Sequence, residues 1–220
     1  ITCRDWSSDV CSSDLTVCGF IAGTDKLYDW VDRNPSVVIL PIKDVNSPHI
    51  VARCNNFVSV NAGLMVDFTG QVCSDSIGVR QYSGPGGQFE FVEGSSFAHG
   101  GKSIICIKSS ATIKEKLISN IVFSLPSGSA VTVPRFFTDT IITEYGIADL
   151  RYKSKLERVK ALIEVAHPEF REQLAEQAQK ANILEASEGF DKVSQKIFYE
   201  SVSLISKLKR KFSLKKILSR

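Results

Sequence analysis

The run Ser103-Ile104-Ile105-Cys106-Ile107, entered from the glycine-dense stretch 83–101, constrains this chain more than any other segment. A short β-branched run behind glycines reads as a buried strand, the kind found inside sheets covered by helices. Further strands are expected at Val37–Pro41, Phe57–Val60, Gln71–Cys73, Ile121–Leu125, Ala130–Val133 and Asp139–Thr143. No helix or strand is assigned within 83–101 itself. The helices have their own period. Residues 27, 30 and 31 give a short amphipathic helix that Asn34-Pro35 breaks. Apolar residues at 156, 159, 162, 163 and 166 form one stripe of a second. A third starts after His167, with Pro168 at its first position, Glu169 in its first turn and Phe170, Leu174 and Ala178 on its stripe. Strands mixed with helices in this way imply an α/β domain.

Apolar residues make up 43% of the 220 and charged ones 23%, which excludes a disordered chain, a collagen repeat and a coiled-coil rod. A net charge of +3 gives no footprint for nucleic acid. No apolar run is long enough to span a membrane. The chain opens on Ile1 rather than Met, and we expect a fragment. Residues 5–15, Asp-Trp-Ser-Ser-Asp-Val-Cys-Ser-Ser-Asp-Leu, read in frame as the translation of a common sequencing-adapter oligonucleotide. Residues 1–15 are therefore left out of fold reasoning. That leaves Cys18, Cys54, Cys73 and Cys106, widely spaced and without a C-x-x-C pair, so neither a metal site nor a disulfide framework is expected. Such cysteines suit a reducing, cytoplasmic setting.

Residues 16–36 read as the remnant of a preceding domain or linker, 37–184 as the main domain and 185–220 as a basic amphipathic helical tail. Residues 201–220 hold seven Lys/Arg and no Asp/Glu. Such a helix can lie on an anionic membrane, although packing against protein is the preferred expectation.

The loop Gly84-Pro85-Gly86-Gly87-Gln88 is neither a dinucleotide fingerprint nor a P-loop, since Phe89 stands where a third glycine would and no Gly-Lys-Ser/Thr follows at P-loop spacing. Alone it reads as a tight turn. Its company raises it: Leu27-Tyr28-Asp29, Asn46-Ser47-Pro48, Val60-Asn61, Asp67-Phe68-Thr69-Gly70-Gln71-Val72, Gly100-Gly101-Lys102-Ser103, Thr143-Glu144-Tyr145-Gly146-Ile147-Ala148-Asp149-Leu150-Arg151 and Ala166-His167-Pro168-Glu169-Phe170-Arg171. This ordered series resembles the C-terminal domain of the acetyl-CoA hydrolase/CoA-transferase family, over about residues 17–180, and is most similar to the 4-hydroxybutyrate and butyryl-CoA:acetate type.

The resemblance implies a NagB/RpiA-like α/β fold with a mixed sheet flanked by helices, one of two such domains with the active site between them. It implies CoA transfer between a short-chain acyl-CoA and acetate or another carboxylate, through glutamyl anhydride and glutamyl-CoA intermediates. Gly87 (backbone N–H) and Asn46 (side chain) become the oxyanion donors, and Gly84, Gly86, Gly87 and Gln88 the CoA-binding loop. The nucleophilic glutamate of the family lies upstream of Leu27, before residue 16, so the chain alone is expected to be inactive. Glu144 is read as a supporting residue or a helix cap, not the nucleophile. No metal and no bound cofactor is implied; the CoA thioester is substrate. The missing N-terminal domain and further copies of the chain are the implied partners. Glu90, Tyr152 and Phe136-Phe137 depart from the family, which usually has Asp, Gly and polar residues there, and Pro85 stands where some relatives have a small aliphatic residue. An acyl-CoA hydrolase, and a non-catalytic module using CoA, a membrane or a partner, are the alternative readings.

Overall fold

Residues 15–183 and the short strand Cys3–Arg4 are described in the computed structural model. Residues 5–14 of the expected adapter-derived leader, and the expected tail 185–220, lie outside the described residues. The chain divides into two units, Ile1–Ala175 and Glu176–Arg220, and the sheets and the cleft belong to the first.

The opening element is β1 (Cys3–Arg4), antiparallel to β2 (Thr16–Cys18). A helix, α1 (Asp25–Val31), crosses over to β3 (Val37–Ile39), which pairs with β2 in parallel. The expected boundary at 36/37 therefore falls inside a hydrogen-bonded unit: Cys18 faces Ile39 across it. Two single-turn helices follow, α2 (Ile42–Val45) and α3 (Pro48–Val51), neither of which has a sequence period long enough to announce it.

Next come β4 (Val58–Gly63), β5 (Met65–Asp67), β6 (Val72–Cys73) and the hairpin of β7 (Ser76–Ile77) with β8 (Arg80–Gln81). Helix α4 (Gln88–Phe97) precedes β9 (Lys102–Ile107). After the hairpin β10 (Ser110–Ile113) and β11 (Lys116–Ser119), the chain forms β12 (Ile121–Val122), β13 (Thr140–Thr143) and β14 (Gly146–Asp149). It then enters α5 (Lys155–Glu164) and α6 (Pro168–Lys180). The main sheet has the order β14-β13-β9-β4, with β4, β9 and β13 parallel and β14 antiparallel at the edge. A smaller sheet runs β12-β5-β6.

The odd-numbered residues of β9 and β13 face the core. Ile105 and Ile141 are fully buried there with Val66, Val72, Val92, Leu150, Val159 and Leu162. Helix α4 lies against β4 and β9, and α5 against β14. The even-numbered residues face outward. Val58 (50% exposed), Val60 (56%) and Ile147 (69%) stand on that face, which the described residues leave open. A second apolar cluster joins Val17, Val45, Val51 and Phe91, with Val38, Leu40 and Phe57 packed on it. It locks the β2–α1–β3 unit, α2 and α3 onto α4.

Several expectations are corrected. Helix α4 occupies half of the stretch in which no element was expected, because Gly94, Ser95 and Ser96 hide its period. Gly94 is there for contact: a Cβ on it would lie 2.5 Å from Val51 Cβ and 3.1 Å from Pro48 O. Ala130–Val133 is not a strand. The Thr132 and Val133 amides both donate to Val72 O, so the segment pairs at one point instead of along a ladder. The strand expected over 121–125 stops at Val122. The period of α5 is read correctly, and its start is fixed by a capping box between Ser154 and Glu157. Tyr152, where the family has glycine, takes φ +57°, the left-handed region glycine favours.

The α3–α4 contact gives a direct test. Gly94→Val would force α3 off α4 and is expected to cost on the order of 2 kcal/mol. Urea unfolding of the two chains, with m unchanged, measures it.

Candidate functional site

The glycine loop 84–87 leads straight into α4. Its entry is anchored below by Asp75, whose backbone carbonyl accepts from Tyr82 N (2.7 Å) and Ser83 N (3.1 Å). The Asp75 side chain is buried and accepts from Thr132 Oγ1 at 2.8 Å. The two central glycines serve different needs. Gly86 has φ +59° with open space around it, so its requirement is conformational. Gly87 sits at the helix N-cap with φ −97°, ψ 16°, ordinary backbone for any residue. Its requirement is steric, because a Cβ there would collide with Asn46 Nδ2. No side chain caps α4. The first N–H groups of a helix lack intrahelical partners and carry the positive end of its dipole. They are therefore open to an anion or a developing oxyanion.

Asn46 ends α2, with its backbone N bonded to Ile42 O at 2.8 Å. The Asx-turn that Asn46-Ser47-Pro48 would permit is not formed, and among the described residues the Asn46 carboxamide has no protein hydrogen bond. Residues 46 and 87, 41 positions apart in the chain, thus meet at van der Waals contact. Both line a cleft of about 720 Å³ together with Gly84, Gly86 and Gln88.

The apolar walls of the cleft include Phe20, Leu27, Trp30, Ile42, Val45 and Phe91; its other polar groups include Asn61, Ser74 and Glu90. Gln88 is buried, and its Nε2 donates to Ala62 O at 3.4 Å, pinning the start of α4 to β4. Asn61 Nδ2 donates to Ser59 Oγ at 2.7 Å, which leaves its carbonyl oxygen toward other partners. Ser74 carries no sequence signal of its own, Trp30 only that of the α1 stripe, and Asn61 only that of the Val60-Asn61 pair in the ordered series.

Glu144 is not among the cleft residues and caps no helix. Its carboxylate accepts from Ser109 Oγ (2.6 Å) and Ser109 N (3.0 Å), tying the end of β13 to the turn after β9. These bonds, the Ser109 hydroxyl first, hold its carboxyl below the usual range. His167 is in ring contact with Tyr145 and Phe170 and accepts from Glu169 N at 3.3 Å, the role of a helix-start neighbour. Asp139 behaves oppositely. Burial pushes its carboxyl up, against the opposing pull of Ser103 N and Arg151. Among the described residues no group of three or more His, Cys, Asp or Glu is arranged to hold a metal. None of the described helices is long and apolar enough to cross a membrane.

Residues 23–178 match the family described as acetyl-CoA hydrolase/transferase C-terminal domain. The chain is 44% identical over 167 residues to the probable butyrate:acetyl-CoA coenzyme A-transferase of Syntrophomonas wolfei, a match covering 76% of this chain and 37% of that protein. It is 46% identical over 164 residues to the 4-hydroxybutyrate coenzyme A transferase of Clostridium kluyveri, covering 74% and 38%. The crystal structure of RipA from Yersinia pestis superimposes with a TM-score of 0.70 at 37% identity, covering 78% of this chain and 39% of that one. The chain thus spans less than two fifths of the length of each.

The Glu144–Ser109 tie has a pH signature. Its folded carboxyl is depressed, so its contribution to stability is present above the ordinary glutamate value of 4.5 and is lost as pH falls through the lower folded value. Glu144→Gln is expected to flatten that acid limb while leaving the profile's shape near neutrality intact. Melting temperatures from pH 2 to 7 for both chains read it out, and superimposable acid limbs would refute it.

Proposed function

The chain belongs to the acetyl-CoA hydrolase/transferase family, and on that footing we propose that it supplies the CoA-handling half of a CoA-transferase. The substrates of the whole protein are a short-chain acyl-CoA and a carboxylate such as acetate. One observation carries this reading: the unbonded Asn46 carboxamide packed against Gly87 at the uncapped start of α4, inside the cleft.

The chemistry asks for that arrangement. In the proposed sequence a glutamate carboxylate attacks the thioester carbonyl, giving an acyl-glutamyl anhydride and CoA thiolate. The thiolate attacks the glutamyl carbonyl, the first carboxylate leaves, and a glutamyl-CoA thioester remains. A second carboxylate then runs the steps in reverse. Every step raises negative charge on a carbonyl oxygen, and fixed donors must already face it. Gly87 N–H and the Asn46 carboxamide are the donors in this reading. The loop Gly84–Gly87, bare of side chains at its tip, lets a thioester approach the backbone closely. Gln88 holds the loop's exit on β4 and acts on CoA by positioning. The nucleophilic glutamate belongs to the part of the relatives' length that this chain does not span. A hydrolase would use the same donors with water as the final acceptor, and the family description names both activities.

Two measurements test the reading. Butyryl-CoA titrated into this chain is expected to change the emission of Trp30 on the cleft wall saturably, with no turnover. Full-length protein from the same reading frame is then supplied with butyryl-CoA and acetate. Acetyl-CoA is expected as product, and Asn46→Ala is expected to lower its rate by roughly two to three orders of magnitude. Free CoA in place of acetyl-CoA would assign a hydrolase. Absence of both products would sink the reading.

A further inference from the structure

The glycine loop is held at its two ends and not between them. A Cβ on Gly84 or Gly86 would meet no atom within 4 Å. Among the described residues the Gly84 and Gly86 N–H groups have no protein acceptor. The exit is fixed by α4 and by Gln88 on Ala62 O. At the entry, Asp75 O holds the amides of Tyr82 and Ser83. The last carbonyl before the glycines, Ser83 O, is held by another residue: Gln81, the end of β8, which no motif singles out. Gln81 is exposed and is not a wall residue of the cleft, yet its Nε2 donates both to Ser83 O and to Asp75 Oδ2 (3.4 Å). Both partners are acceptors, so only the amide nitrogen can serve them. Asp75 is a fixed point, buried and bonded through Oδ1 to Thr132 Oγ1 at 2.8 Å. Gln81 thus carries the fixity of a buried carboxylate out to the mouth of the loop.

That carbonyl matters because of the peptide it belongs to. The C=O and N–H of a trans peptide share one plane and point opposite ways. Holding Ser83 O therefore fixes the direction of the Gly84 N–H. Gly84 has no Cβ to restrain the turn, so without the Gln81 bond the peptide between 83 and 84 would be free to rotate. Ser83 and Gly84 both line the cleft. We infer that Gln81 is a positioning residue for the CoA thioester: its amide sets the Ser83–Gly84 peptide, and with it the resting place of loop 84–87, before the substrate arrives. The inference rests on the CoA-transferase reading and adds to it a residue that acts from outside the cleft. A loop already in place loses less freedom on binding, so releasing it weakens capture of the thioester and leaves the later chemistry intact.

Two substitutions in full-length protein from the same reading frame test this. Gln81→Met keeps the side chain's length and removes its donors; Gln81→Lys keeps a donor. With butyryl-CoA and acetate as substrates, kcat/KM for butyryl-CoA reports capture of the free thioester, and kcat/KM for acetate reports the reaction of CoA already attached to the enzyme. With water as acceptor, kcat takes the place of the acetate constant. Gln81→Met is expected to lower the butyryl-CoA constant roughly five- to tenfold, the effect of one hydrogen bond, and to leave the acetate constant unchanged. Gln81→Lys is expected to restore the butyryl-CoA constant. Tm is expected to stay the same in both, as for an exposed side chain. Equal falls in the two constants, or a lower Tm, would show a brace of the fold alone. An unchanged butyryl-CoA constant in Gln81→Met, or no restoration by Gln81→Lys, would show that the bond does not position the loop. Each of these overturns the inference and leaves the CoA reading standing. Neither acetyl-CoA nor free CoA from the unsubstituted protein overturns both.

Discussion

Two missing Cβ atoms on one helix set the geometry of this domain. Gly94 lets Val51 and Pro48 press onto the middle of α4, and Gly87 lets Asn46 press onto its N-cap. The segment 46–51 is therefore held against α4 at both ends. Its stiffness comes from the cluster Val17, Val45, Val51 and Phe91 behind it. A side chain at Gly94 would make the segment stand off, and one at Gly87 would displace the Asn46 carboxamide, since packed interiors do not yield by the width of a methyl group without loss. The position of the Asn46 carboxamide is thus a property of packing far more than of its own hydrogen bonds, of which it has none among the described residues. An unbonded amide held by packing alone keeps its donors available for a ligand and pays little reorganisation when charge develops beside it.

The sheet explains why the cleft opens where it does. Three parallel strands, β4, β9 and β13, are buried on the face that meets α4 and α5. In open α/β folds, ligands enter beyond the carboxyl ends of such strands, where helices begin. Here α4 precedes β9 and its N-terminus faces the cleft, with Ala62 of β4 receiving the Gln88 amide. The strand thereby fixes the start of the helix, and the helix fixes the loop. Among the described residues nothing covers the opposite face, where Val58, Val60 and Ile147 are exposed, as helices ordinarily cover parallel sheets.

The elements with strong periods were legible in the sequence. The run Ser103–Ile107, the α5 stripe and the Pro168 helix start all carry enough local signal to fix their type. Helix α4 was not legible, because Gly94 answers to Val51 and Pro48, 43 and 46 residues upstream, and Ser95 and Ser96 turn their hydroxyls back on Val92 O and Glu93 O. Local propensity cannot see such a contact. Ala130–Val133 failed for the opposite reason: its β-branched composition suits a ladder, but it forms a single bridge, at Val72. The site divides the same way. Gly86 announces itself as a turn glycine. The meeting of Asn46 with Gly87 follows from tertiary packing, and in the sequence it was reachable only through family resemblance.

Ser74 and Glu144 show what composition hides in each direction. Glu144 stands in a conspicuous motif, yet its carboxylate is absorbed by Ser109, and the depressed carboxyl is the mark of a tie between two strand ends. Ser74 follows a two-residue strand in a segment full of small polar residues, and nothing in the sequence separates it from Ser76. The difference lies in partners: Ser76 Oγ accepts from Ala130 N at 2.7 Å, while Ser74 Oγ has none. Structural roles consume hydrogen-bonding capacity, and binding roles leave it open. Measured that way, the Glu144 carboxylate is committed to the fold, and the Asn46 carboxamide is an uncommitted polar side chain of the cleft.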